Sequence, residues 1–246
     1  MATDLEPPDG DSRDWSVLYL GRGVDEVVAH RPYFTGDVFE DASVGAPRRE
    51  PETMTVMIIQ HPCAMRPDGV GLASSLLVAE VTRYGALKPG KWTGSGKLMP
   101  LPELRPEAAS GKKDYAAFFD STHHVHPEDL GKRIACLSPR GVNLLLQRWV
   151  YHSSRVVVPT FTYNDAVSSV YEEADIVEEW CEQAMEAGRT LDEARMDASA
   201  WLSEPAGDLT RRKALEDPQR RGTIRKAARA AAATWQAPAA PAPAAG

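Results

Sequence analysis

The chain has 246 residues, 43% of them apolar and 26% charged, with a net charge of −7. That is enough apolar material for one large domain with appendages, and the acidic balance argues against a protein that coats nucleic acid with its whole surface, which needs clustered Lys and Arg. No run approaches the roughly 18 apolar residues of a membrane-spanning helix, the acidic N-terminal stretch lacks the apolar segment of a secretory signal, and three cysteines (Cys63, Cys136, Cys181) suit a reducing compartment better than a disulfide framework. The expectation is a cytoplasmic, soluble protein with no membrane association.

In chain order, residues 1–12 read as a disordered leader, rich in Pro, Gly and Asp with little to bury. From Trp15 the pattern changes to short apolar runs bounded by turn residues: WSVLYL, GDVFED, TVMIIQ, SLLVAEV, GKLMPLPEL and YAAFFD. Such runs predict the strands of a small barrel or sandwich. Pro100 and Pro102 demote their run to an edge strand or extended loop, because proline cannot donate to a ladder.

Ser138-Pro139 has the form of a helix start, with Ser as the cap and Pro at the first helical position. Val142, Leu145, Leu146 and Trp149 recur at helical spacing, which predicts a helix over 139–152; residues 156–158 are a further strand candidate. Beyond Thr160 the chain reads as helical. Ser169 and Glu172 form an S-x-x-E capping box, followed by an apolar stripe through Val177, Cys181 and Ala184, with Gly188 as the stop. Thr190 and Glu193 repeat the box and Ala194, Ala198 and Trp201 the stripe. The first of these helices is acidic on its other face.

Residues 205–234 form a basic arm, predicted as one or two helices broken at Pro218 and Gly222, and residues 235–246 a Pro/Ala tail unable to form a core. The fold expected is therefore α+β: a small curved β-barrel-like domain with one helix over 13–163, then an amphipathic helical hairpin over 164–204, then the basic arm.

Four groups of residues invite chemistry. His61 and Cys63 lie two apart and share a face in an extended chain, as do His124 and His126. Brought to neighbouring strand ends, these four would offer one sulfur and three imidazoles, a donor set that suits zinc, with Asp120 or Glu128 as supporting carboxylates. The plainer reading makes Cys63 a small core residue at a strand end and places the histidines in a solvated turn. Cys63 is also a candidate nucleophile if a nearby imidazole lowers its pKa. WTGSGK, residues 92–97, carries Gly and Lys but not the full phosphate-binding loop, and reads as a hairpin turn.

The fourth group is the basic segment: Arg211, Arg212, Lys213, Arg220, Arg221, Arg225, Lys226 and Arg229. It is either an arm for nucleic acid or an acidic protein, or an internal partner for the acidic helix. The aromatics Trp149, Tyr151, Trp180 and Trp201 sit on helical stripes and read as core.

GDVFED (residues 36–41), TMTVMIIQHPC and RIACLSPRGVNLLLQRWV together resemble, over residues 31–155, the strand and helix order of MazF/PemK-type proteins. The resemblance implies a small, strongly curved barrel, and in many members a ribonuclease toxin. Where those toxins open their second core strand with Arg-Pro, this chain has Thr53-Met54, so no catalytic residue is carried over.

Three functions follow as expectations. The first is a non-enzymatic binding or adaptor protein that engages a macromolecular partner, protein or nucleic acid, through its helical and basic C-terminal region. The second is a metal-dependent hydrolase of phosphodiester or RNA substrates, with zinc on His61, Cys63, His124 and His126. The third is a MazF-like endoribonuclease.

Overall fold

A computed structural model describes residues 4–8, 15–23, 27–45, 50–67, 71–85, 89–105 and 113–235. Apart from Trp235, the Pro/Ala tail lies outside these residues, as do residues 1–3 and 9–12 of the expected leader. The chain divides into two compact units, one of residues 1–29 and 33–167, the other of residues 30–32 and 168–246. Among the described residues no helix is long and apolar enough to cross a membrane.

The first unit is built on seven antiparallel strands: β1 (Tyr19–Arg22), β2 (Val38–Val44), β3 (Glu52–Ile58), β4 (Leu76–Gly85), β5 (Leu98–Leu101), β6 (Lys113–Val125) and β7 (Lys132–Leu137). Their order is β1-β7-β2-β3-β4-β6-β5. The expected barrel does not close by backbone pairing, because β1 and β5 are the two edges of the sheet. Side chains link those edges instead. The Tyr19 hydroxyl donates to the Pro102 carbonyl at 2.9 Å, and Arg22 pairs with Glu103 at 3.1 Å. β5 has only four residues and contains Pro100, which cannot extend a ladder on both sides.

One core of this unit gathers Phe39, Val56, Ile58, Leu76, Val78 and Val125 from β2, β3, β4 and β6. Gly36 leads into β2 with φ +88°, and a Cβ there would stand 2.7 Å from Leu137 Cδ1, so turn and packing both demand glycine. The adjacent Asp37 is 2% exposed and accepts from the Phe34 amide at 3.0 Å and from Arg133 Nη1 at 2.8 Å. Burial pushes its carboxyl above the ordinary value, and the Arg133 guanidinium opposes that push. Arg133 also donates to the Val28 carbonyl at 2.5 Å and lies over the Tyr33 ring.

The short helix α1 (Pro62–Met65) follows β3, and α2 (Pro139–Ser154) follows β7. Ser138 caps α2 by accepting from the Gly141 amide at 3.1 Å, with Pro139 at the first helical position. α2 packs on the 3₁₀ turn Trp15–Leu18, on β5 and β7, and on a second 3₁₀ turn, Thr160–Tyr163. Gly141 permits the close approach: a Cβ there would overlap the Leu18 carbonyl oxygen. Residues 156–158, a strand candidate, carry no strand. WTGSGK is not a hairpin tip: Pro89–Gly94 is a 3₁₀ turn that buries Trp92 completely and runs into β5, and no helix follows.

α3 (Asn164–Glu186) begins five residues before Ser169, so Ser169 lies inside the helix rather than capping it. The 3₁₀ turn Thr160–Tyr163 supplies the start, and α3 simply continues it. Gly188 ends α3 with φ +83°. In the second unit, α4 (Leu191–Ser203) opens with the Thr190–Glu193 capping box. β8 (Pro205–Ala206) and β9 (Leu209–Thr210) pair, and α5 (Arg211–Ala214) and α6 (Pro218–Ala232) complete the unit. Its core is Ile176, Trp180, Trp201, Leu202, Leu215 and Ile224 with neighbouring alanines.

Candidate functional site

The four expected metal ligands do not converge. Gln60 faces Leu77 on β4 through the bond from the Leu77 amide to Gln60 Oε1 at 2.8 Å, and His124 pairs with Leu77 from the other side, on β6. β3, which leads toward His61, and β6, which carries His124, therefore lie on opposite sides of β4, about 10 Å apart as strands. His61 caps α1, its Nδ1 accepting from the Cys63 amide at 3.3 Å, and half-burial lowers its pKa. His124 Nδ1 lies 3.4 Å from Ser75 Oγ, and His126 Nδ1 lies 2.7 Å from the Ser74 carbonyl. Among the described residues no group of three or more His, Cys, Asp or Glu is placed to hold a metal ion. Cys63 is exposed, which removes it from the core role as well. His123 and His124 lie in β6, not in a turn.

A register shift between Ala79 and Glu80 bulges β6 over residues 119–121. The bulge re-aims side chains, as bulges do. Ser121 donates to Glu80 Oε2 at 2.7 Å and stands 3.5 Å from His123 Nε2. Here the serine bridges acid and imidazole. Hydroxyl activation requires the imidazole between the two, so the order is wrong for a triad.

The basic residues are placed, and almost all are used internally. Arg211 pairs with Glu204 at 2.5 Å and lies over the Trp201 ring. Arg212 pairs with Glu173 at 3.1 Å, Lys213 with Glu216 at 2.8 Å, and Arg220 with Asp208 at 3.1 Å. Arg221 donates to Ser168 Oγ and to the Leu215 carbonyl. Arg225 reaches Glu172 at 2.7 Å and Asp175 at 3.3 Å, and Arg229 reaches Glu179 at 2.8 Å. Arg31 adds a further cation on Asp175 and Glu178. Of the eight, Lys226 alone has no such partner among the described residues. The acidic face of α3 is thus matched by the arm, and the Arg229 hydrogen bond holds the Glu179 carboxyl below its ordinary value.

A different site emerges in the first unit. A cleft of about 440 Å³ opens where the N-terminal end of α2 meets the turn Thr160–Tyr163 and the start of α3, lined by Glu6, Pro139, Arg140, Asn143, Thr160, Phe161 and Asn164. Asn143 is 5% exposed; its Nδ2 donates to Asn164 Oδ1 at 2.7 Å, while its own Oδ1 has no hydrogen-bond partner among the described residues. Phe161 stands 70% exposed beside these polar groups.

Glu6 forms one wall. Its Oε1 accepts from the Thr160 amide at 2.8 Å and from Gln147 Nε2 at 3.2 Å; its Oε2 accepts from Thr160 Oγ1 at 2.6 Å and Arg140 Nη1 at 3.2 Å. Burial pushes its carboxyl up, but the bonds from Thr160 and Arg140 outweigh that, and the net shift is downward. Residues 4–8 are therefore not the disordered leader expected: Leu5 is 2% exposed and Pro8 is buried. Behind Glu6 sits Arg148, fully buried, donating to the carbonyls of Leu144, Glu6 and Trp92 and lying over the Trp92 ring. Burial pushes its guanidinium down to about 9.

Nothing in the local sequence marks this cleft. Glu6 lies more than 130 residues from Arg140, and the nearest signal is the Ser138-Pro139 helix start that brings Arg140 and Asn143 to one end. No protein-family model matches the chain, and no curated protein does either.

Proposed function

We propose that the protein is a non-enzymatic binding protein that engages another protein at the cleft of its first unit. One observation carries this reading. A large aromatic side chain, Phe161, stands 70% exposed at a concave surface lined also by Glu6, Arg140, Asn143, Thr160 and Asn164. Exposed aromatic anchors beside a few placed polar groups are the composition of binding hot spots.

The basic arm ranks second as a docking surface, because six of its eight cations are already paired with carboxylates within its own unit, leaving Arg221 and Lys226 without one among the described residues. A metal-dependent hydrolase at His61, Cys63, His124 and His126 ranks lower, for want of a converging donor set among the described residues, and a MazF-like endoribonuclease ranks last.

The test is affinity capture followed by mass spectrometry, with wild type, Phe161→Ala and Lys226→Glu side by side. Both residues are exposed, so neither change should unfold the chain. The reading expects a protein captured by wild type and Lys226→Glu and lost by Phe161→Ala. Retention by Phe161→Ala with loss by Lys226→Glu would move the surface to the arm and sink the proposal.

A further inference from the structure

Residues 4–8 are bound the way a peptide ligand is bound. Recognition reaches the main chain in both directions: the Glu6 amide donates to Gln147 Oε1 at 2.7 Å, the Glu6 carbonyl accepts from Arg148 Nη2 at 2.7 Å, and the Pro7 carbonyl accepts from Arg140 Nη2 at 3.2 Å. One carboxylate is then read by four donors from Arg140, Gln147 and Thr160. Leu5, beside them, is 2% exposed. Main-chain bonds that hold an extended segment, with one charged and one apolar side chain setting its identity, are how peptide-binding domains work.

The receptor side is also built for this. Arg148 is fully buried and pairs with no carboxylate among the described residues; its Nη1 and Nη2 donate to carbonyl oxygens, one of them belonging to the bound segment. A buried cation is expensive to keep in a core for packing alone. With Arg140 beside it, the groove is cationic, and a carboxylate-bearing strand is its electrostatic complement.

We propose that residues 4–8 are a displaceable built-in occupant of a peptide groove, and that the groove's external ligand is an extended acidic protein segment in which a glutamate lies between an apolar residue and a proline. This rests on the reading of the protein as a binding protein and names its partner's chemistry. Residues 4–8 belong to the same chain as the groove, so their occupancy is intramolecular. An external segment must compete with that, so occupancy in cis sets the threshold for binding.

The experiment uses the full chain and a fluorescein-labelled peptide with the sequence of residues 3–9, followed by anisotropy. In the double variant Leu5→Asp/Glu6→Lys the built-in segment is disabled, and the peptide should bind at least tenfold more tightly than to wild type. The peptide carrying Gln in place of its Glu should lose about tenfold. In case the double variant fails to fold, judged by circular dichroism, a second chain carries a protease site within residues 9–14. After cleavage residues 4–8 should dissociate, residues 15–246 should stay folded, and the labelled peptide should bind.

Equal weak binding to wild type and to both opened forms, indifference to the Glu→Gln change, or unfolding once the segment leaves would each make residues 4–8 a structural tie and overturn the proposal. A concentration-dependent dimer of wild type, abolished in the double variant, would assign the groove to a second copy and overturn it too. If the peptide fails while Phe161→Ala still abolishes capture, the binding reading stands with a different partner chemistry. If capture ignores Phe161, that reading falls by itself.

Discussion

Arg133→Met probes the buried pair that anchors the start of β2. Asp37 and Arg133 are 2% and 8% exposed, and their contact is 2.8 Å. Removing the guanidinium leaves Asp37 with the Phe34 amide and the Cys136 thiol as its remaining hydrogen-bond donors. Breaking one side of a buried pair costs about 3–5 kcal/mol, most of it from the charge left behind. With a urea m-value of about 2 kcal/mol per molar, the midpoint of the first unit's transition should fall by about 1.5–2.5 M.

The pH dependence gives the mechanism a second handle. In the variant the Asp37 carboxyl is buried without its cation, so its folded pKa rises above the unfolded value of about 3.9. The folded state then holds a proton that the unfolded chain releases. The variant's loss of stability relative to wild type should therefore be smallest below about pH 4 and grow as pH rises toward the elevated folded value. Adding Asp37→Asn should recover a large part of the loss at neutral pH, because the orphaned charge is gone. A loss under 1 kcal/mol for Arg133→Met at pH 7, or no recovery in the double variant, would refute the assignment of the cost to an uncompensated buried charge.

Other predictions concern separate parts of the molecule. Gly36→Ala should cost about 2–4 kcal/mol by urea denaturation, combining a left-handed φ with overlap on Leu137. Glu179→Gln should cost about 1 kcal/mol at pH 7 through lost bonds to Arg229 and Arg225. Because the Glu179 pKa is depressed in the folded state, the wild-type contribution is present above the unfolded value and lost as pH falls through the folded one. The variant's stability curve should thus be flatter below about pH 5, and the wild-type advantage should shrink in 1 M salt. Elemental mass spectrometry of tag-free protein should find far less than one zinc per chain, the same in wild type and Cys63→Ala; stoichiometric zinc lost in Cys63→Ala would restore the metal centre.

Local chemistry was legible where one short segment decides its own structure. Ser138-Pro139 announces α2, Thr190 with Glu193 announces α4, and Pro100 marks an edge strand, because caps and proline act over three or four residues. The apolar runs placed β2, β3, β4 and β5 for the same reason. Ser169 failed as a cap because the chain was already helical when it arrived, carried forward from Thr160–Tyr163. The shared face expected of each pair assumed an extended chain, but His61 caps α1, Cys63 lies inside it, and His126 follows the end of β6. β4 also lies between β3 and β6.

The sequence by itself determined the mixed strand-and-helix character, the opposite charges of α3 and the arm, and the caps of α2 and α4. Each depends on composition or on neighbours a few residues apart. Only the tertiary structure decided that the arm's arginines meet the glutamates of α3, since Arg225 and Glu172 lie 53 residues apart. It alone brought Glu6 to Arg140 and Thr160, across 134 and 154 residues. Contacts of that span are set by how the sheet, α2 and the turn after it pack together. Residues 4–8 of the acidic N-terminal stretch thus pack on their own unit, held by side chains that carry no local mark of the role.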